Sequence, residues 1–348
     1  MFLFIALFLT ASGTAEPFGA PVIHGDWIAG CDNRGDCRLF SLPVEADGSS
    51  EEEGMGIEIA IERAYAINET LRAEVMLSSI PVDESKSPTM RIDGKTVPMR
   101  ARWSNNTGVL DQRDALRFVR AMGSARLLEV VVGGKVAGRA SVAGLSPLLD
   151  YVDKEQYRVG TEGALGKPGQ KPVDYMVVPP LLPQLAIKSP PSSDELPVEI
   201  ASERLAEILK TDLCLQYQDP QDSIKPEVEY IRLDKDNTLA LVGSYCGGYN
   251  PTLRPYIIDN AGHTRMAQFG SNPLIDPDDP ESYIPGLWWN DREQLLAAFG
   301  RARSMGDCGQ QTSFAWNGEK FVTVKYSSMP ECRGSFNYVT TYKREVAR

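Results

Sequence analysis

Isoleucine and glutamate alternate in "GIEIAIER", which sets Ile57, Ile59 and Ile61 on one face of an extended segment and Glu58 and Glu62 on the other. That period predicts a half-buried strand. "LRAEVML" repeats it with Leu71, Ala73, Val75 and Leu77, and Asp93-Gly94 and Gly133-Gly134 supply tight-turn residues between strands. The period lengthens in "QRDALRFVRAM", where Ala115, Leu116, Val119 and Met122 share a helical face behind an expected cap at Asp111 and ahead of a stop at Gly123. Ser146-Pro147, a cap followed by proline, predicts a second helix through "LLDYVDKEQYR".

Periodicity fades in "KPGQKPVDYMVVPPLLPQLAIKSPPSSDELP", which carries eight prolines. Proline fixes φ and removes a backbone donor, so this stretch is expected to be an extended, stiff linker. Its apolar patch Val177–Leu185 is expected to lie along one module, because exposed leucines on a free tether are a liability.

Beyond the linker, Ser202 is the expected cap of "ERLAEILKTDLC". Hairpin signals follow at 228–245 around Asp234–Asn237, at 255–269 around Asn260–Gly262, and at 314–326 around Asn317-Gly318. Their uneven spacing points to a twisted sheet or small sandwich and away from a propeller. Asn290 with Glu293 matches a capping box and predicts a helix carrying Leu295, Ala298, Phe299 and Ala302. With Asn317-Gly318 as a two-residue turn, cross-strand positions sum to 635 and Cys308 faces Ser327.

The expected fold is therefore α+β and predominantly β: two sandwich-like, β-rich modules of antiparallel hairpins with a few short helices, joined by a Pro-rich linker. The expected boundaries are 1–15, 16–165, 166–198 and 199–348. The first segment reads as a signal peptide. Its apolar run, Phe2 to Leu9, is followed by Gly13-Thr14-Ala15 at the small positions of a cleavage site, although no basic residue precedes the run. The run is too short for a membrane span, which needs about 20 apolar residues, and no later segment approaches that length.

Charge narrows the partners. The 36 Lys and Arg against 47 Asp and Glu give a net charge of −11, which repels phosphate backbones, so no nucleic-acid partner is expected. Six cysteines in an exported chain read as structural disulfides. The most local pairing is Cys31–Cys37, Cys214–Cys246 and Cys308–Cys332, one of fifteen connectivities that six cysteines allow. There is no C-x-x-C, and His24 and His263 are the only histidines, so neither zinc nor thiol chemistry is suggested.

"GDWIAGCDNRGDC", "GSYCGGYN", "SMGDCG", "FAWNGEKF" and "ECRGSFNYVTTYKREV" resemble, with the proline-rich middle, a Gram-negative bacterial family of exported six-cysteine proteins, domain of unknown function 1176. The resemblance runs from about Asp26 to the carboxy terminus. The amino-terminal module, with Trp27 ahead of Cys31, is more loosely similar to the invasion-associated locus B proteins. These likenesses imply a periplasmic address and a shared cysteine framework, and no activity.

Nucleophilic catalysis requires an oriented base beside a hydroxyl or thiol, and the chain has no G-x-S-x-G and no S-x-x-K. No catalytic residue and no cofactor are assigned. His263, in "DNAGHT", follows a hairpin turn where a solvated histidine is ordinary. Asp276, Asp278, Asp279 and Glu281 form the densest acid cluster and a weak candidate for a calcium site or a hydrolase carboxylate pair; a solvated acidic loop is the commoner outcome. Tyr249 and Asn250 beside Cys246-Gly247-Gly248, an exposed Trp288 and Arg333 make a candidate binding surface, with packing and ion-pair roles as the plainer alternative. The expected function is a periplasmic binding or scaffolding module for an envelope protein or glycan. The alternative is an envelope hydrolase acting through the 276–281 acids.

Overall fold

The computed structural model describes residues 18–43, 56–66, 71–77, 88–173, 178–188, 196–211, 227–243, 249–250, 253–275 and 284–347. Strands dominate among them, with three short helices, as the hydrophobic pattern predicts. The chain opens with β1 (Val22–His24), β2 (Trp27–Cys31), β3 (Cys37–Ser41), β4 (Ile57–Arg63) and β5 (Leu71–Leu77), followed by β6 (Thr89–Ile92) and β7 (Lys95–Thr96). Next come β8 (Arg102–Ser104), β9 (Thr107–Asp111), α1 (Gln112–Met122), β10 (Leu127–Val132), β11 (Lys135–Ser141) and α2 (Leu145–Glu155). Among the described residues β1 to β5 with β9 and β8 form a seven-stranded antiparallel sheet, and β11-β10-β6-β7 a second, smaller one.

The isoleucine face of β4 is buried as expected, against Phe118, Val119, Leu148, Leu149, Leu128 and Val130 from the helices and the smaller sheet. The expectation of a half-buried strand fails on the other face. There Ala60, with Ile28 and Phe40, packs against Met329, Tyr338 and Val339 from the carboxy-terminal part of the chain. Alternation alone could not show this, because a small alanine between glutamates reads as a solvent face until a second sheet covers it.

The helix starts need correction. Asp111 precedes α1, but its carboxylate makes no cap and pairs with Arg102 instead. In α2 the residue at the cap position is Gly144, not Ser146, with φ of 97°. A Cβ there would lie 1.8 Å from the His24 carbonyl oxygen, so close approach to β1 selects glycine. Ser202 is the first residue of α3 (Ser202–Lys210) and Ala201 stands at its cap, without a side-chain cap bond.

Between α2 and α3 lies β12 (Gln184–Ala186), and after α3 come β13 (Glu227–Arg232), β14 (Asn237–Gly243), β15 (Arg254–Asp259) and β16 (Thr264–Met266). The last strands are β17 (Leu287–Asn290), β18 (Leu295–Arg301), β19 (Gly309–Trp316), β20 (Phe321–Met329), β21 (Val339–Lys343) and β22 (Glu345–Ala347). Among the described residues the strands β13 to β16 form one antiparallel sheet and β17 to β21 another. The two share a core of Leu239, Leu241, Ile257, Leu296, Phe314, Trp316 and Phe321. Residues of α3 cover the far side of the first sheet through Ile208 against Ala240 and Ile258. Leu185 in β12 pairs in parallel with Val346 of β22.

The expected helix after Asn290 is absent: Leu295 to Arg301 form a strand paired with β17 and β19. Asn290 Oδ1 does accept from the Arg292 and Glu293 amides, at 3.1 Å each. That bond pattern opens a helix or closes a turn equally well, and here strand partners on both sides of β18 decide for the turn. The register expected around Asn317-Gly318 is also shifted. Trp316 faces Phe321, so 317–320 form a four-residue loop, and after a bulge at Ser313/Phe314 residue Gln311 faces Ser327. Asn317 Oδ1 accepts from the Glu319 and Lys320 amides at 2.9 Å, which selects the longer loop.

Candidate functional site

Two of the expected disulfides are present, Cys31–Cys37 and Cys308–Cys332. Cys214 and Cys246 lie outside the described residues, as do Asp276, Asp278, Asp279 and Glu281. The two sulfur pairs lie beside hydrogen bonds that cross where the seven-stranded sheet meets the β17 to β21 sheet.

Cys31 and Cys37 face each other across β2 and β3, and the tight loop between them is held from within. Asp32 Oδ1 accepts from the Arg34 and Asp36 amides, at 2.9 and 3.1 Å, while Gln156 Nε2 donates to the Gly35 carbonyl at 2.8 Å. The loop then reaches the other sheet. Asn33 Nδ2 donates to the Lys343 carbonyl at 2.9 Å, Asn33 Oδ1 accepts from the Lys343 amide at 2.7 Å, and Lys343 Nζ lies 2.6 Å from Asp32 Oδ2. A side-chain amide thus satisfies both backbone groups of Lys343.

Cys332 begins the reciprocal contact. Arg333, a member of the expected binding surface, takes the ion-pair role. Its Nη2 donates to Asp26 Oδ1 at 2.8 Å and Nε to the Pro43 carbonyl at 2.9 Å. Ser335 and Asn337 both donate to Glu58. Asp307 is fully buried and pairs with Arg303, and the Gly334 amide donates to it at 2.6 Å. The Arg303 guanidinium holds the Asp307 carboxyl down to about 2, against the opposing effect of burial. Burial, followed by the Asp307 charge, pushes the Tyr338 hydroxyl up to about 12. Sequence reasoning missed Asp26, Glu58 and Asn33 because their partners lie some 300 positions away, and no local pattern marks such contacts.

Tyr249 and Asn250 do sit together at the end of β18. Asn250 Nδ2 donates to the Arg301 carbonyl at 3.0 Å and its Oδ1 accepts from the Arg301 amide at 3.1 Å. Tyr249 is 38% exposed and its hydroxyl donates to the Ala302 carbonyl at 3.3 Å. Met305 and Phe336, 58% and 65% exposed, stand on the two segments that Cys308–Cys332 ties together. Trp288 stands apart, 45% exposed on the edge strand β17, while its neighbour Trp289 turns into the core. His263 Nδ1 lies 2.8 Å from Asp259 Oδ2 at the surface. Among the described residues no group of three or more His, Cys, Asp or Glu could hold a metal ion, and no helix is long and apolar enough to cross a membrane.

A second polar cluster is buried beneath β4. Arg63 Nη1 lies 3.4 Å from Asp153 Oδ1, and Asp153 also accepts from the Leu165 and Gly166 amides at 2.8 Å. Burial, followed by repulsion from Arg158, lowers the Arg63 guanidinium to about 9. Its groups anchor residues 161–166 to the sheet, with Arg63 donating to Asp153 and to the Gly163 carbonyl and Arg120 to the Ala164 carbonyl.

The geometry describes a β-rich, disulfide-bonded protein whose polar clusters bind the chain to itself. The chain belongs to the family described as a protein of unknown function, DUF1176, whose model matches residues 23–342. It is 21% identical over 347 residues to "Uncharacterized protein YpfG" of Escherichia coli (strain K12), covering 95% of this chain and 94% of that one. Among solved structures it is similar to the "invasion associated protein b from bartonella henselae", at 11% identity and a TM-score of 0.31 over 40% of this chain and 99% of that one. A likeness of that size carries no argument about fold or function.

Proposed function

We propose that this protein is an exported, periplasmic binding module that engages a protein partner in the cell envelope. The observation that carries the reading is the set of three exposed apolar side chains, Tyr249, Met305 and Phe336, on segments fixed by a disulfide and by hydrogen bonds at their bases. Exposed Tyr, Met and Phe beside arginine match the composition of protein interface centres. A rigid base lowers the ordering cost of association, so such side chains bind better than the same residues on a free loop. Disulfides and the apolar amino-terminal run favour export.

Release of the chain by osmotic shock with soluble periplasmic markers tests the address. A photo-crosslinking residue at 336, in the full chain in its own host, should yield a discrete protein adduct that Tyr249→Ala with Met305→Ala weakens. Identical adducts at 336 and at the exposed Tyr157 would remove the reading.

A further inference from the structure

The polar contacts that join the two halves of the molecule lie on two short loops, each shaped by one disulfide, beside an apolar seam of Ile28, Phe40 and Ala60 against Met329, Tyr338 and Val339. Residues 31–37 belong to the seven-stranded sheet and grip Lys343 of β21 through Asn33 and Asp32. Residues 332–337 belong to the other half and grip Asp26 and Glu58 through Arg333, Ser335 and Asn337. The gripping is reciprocal, and neither sulfur bond crosses the joint. Cys31–Cys37 spans only six positions of sequence between strands that are already paired, so restricting the unfolded chain is its smaller role. Its effect falls on the shape of the turn that presents Asn33. Cys308–Cys332 likewise fixes the segment that starts at Arg333, whose Gly334 amide donates to buried Asp307.

We infer that the two disulfides are the lock of the joint between the halves. Oxidised, they hold both loops in gripping shape. A dithiol opens the lock: one thiolate attacks a sulfur, the second resolves the mixed disulfide, and the dithiol leaves as a disulfide while two protein thiols remain per bond. Cys31 and Cys332 are the more open members of their pairs, Cys37 and Cys308 being buried. The joint then loosens while the cores on either side stay folded, because those two large apolar clusters contain none of the polar grips and the halves are left with the smaller apolar seam of Ile28, Phe40 and Ala60 against Met329 and Val339.

Hydrogen exchange on the full chain tests this. With Cys214 and Cys246 left in place, Cys31→Ser/Cys37→Ser combined with Cys308→Ala/Cys332→Ala should speed exchange in peptides 27–31 and 339–343 by about tenfold or more, with 71–77 and 312–316 unchanged. Asn33→Ala with Arg333→Ala, all cysteines present, should reproduce the same local speeding. The inference is overturned by wild-type exchange at the joint in the cysteine variant, by uniform speeding through both halves, which would assign the sulfur to the cores, or by no effect of the Asn33/Arg333 pair.

Discussion

The two halves complete their cores differently. Residues of β13 to β21 form two sheets that share one apolar core, with α3 behind the first. The seven-stranded sheet is covered by helices and a smaller sheet on one face, and on the other it depends on Met329, Tyr338 and Val339 from the distant half. Both halves bury charge within themselves and at their meeting: Arg63 and Asp153 lie inside the amino-terminal half and Asp234 accepts from Trp316 inside the carboxy-terminal one, while Asp32 and Asp307 are buried at the joint. Self-sufficiency and dependence coexist in one chain.

The contrast breaks most sharply at the buried pair. Asp153→Ala leaves Arg63 without its carboxylate and frees the Leu165 and Gly166 amides, and should lower unfolding free energy by about 3–5 kcal/mol in urea titration. Next comes the face where the halves touch. A Cβ on Gly30 would sit 2.5 Å from Val339 Cγ1, so Gly30→Val should cost about 1–3 kcal/mol and loosen the joint, seen as a lower melting temperature.

Asp307→Asn should have a comparable effect, about 1–3 kcal/mol at neutral pH, through loss of the charge facing Arg303. Its pH dependence is the sharper measurement. The folded-state carboxyl, at about 2, lies below its ordinary 3.8, so its contribution is present above 3.8 and is lost as pH falls through 2. The wild type should therefore lose stability between those values and the variant should lack that segment of the curve. Trp288→Ala, on an open edge strand, should change stability by less than about 0.5 kcal/mol, whereas Trp289→Ala should cost several times more.

Strand identity was legible wherever one residue in two is apolar. Ile57, Ile59 and Ile61 announce β4, and Asp93-Gly94 and Gly133-Gly134, all at positive φ, announce their hairpins. Errors gather where one local signal serves two structures. Asn290 with Glu293 makes the same amide bonds in a turn as at a helix start, and Asn317 supports a four-residue loop as well as a two-residue one. Of the residues set in the candidate surface, Tyr249 and Trp288 are exposed, whereas Arg333, chosen for its charge, is spent on Asp26, more than 300 positions away.

The sequence by itself determined the β-rich class and most strand positions, and it offered Cys31–Cys37 and Cys308–Cys332, which the structure contains, as the most local of fifteen connectivities. These follow from interactions between residues close in the chain, where period and spacing restrict the alternatives. Only the tertiary structure decided that Ala60 and Gly30 face a second sheet, that Asn33 and Arg333 are reciprocal grips, and that Tyr249, Met305 and Phe336 remain uncovered. Those outcomes depend on which surfaces meet after the strands have formed, and short-range pattern carries no record of such a meeting.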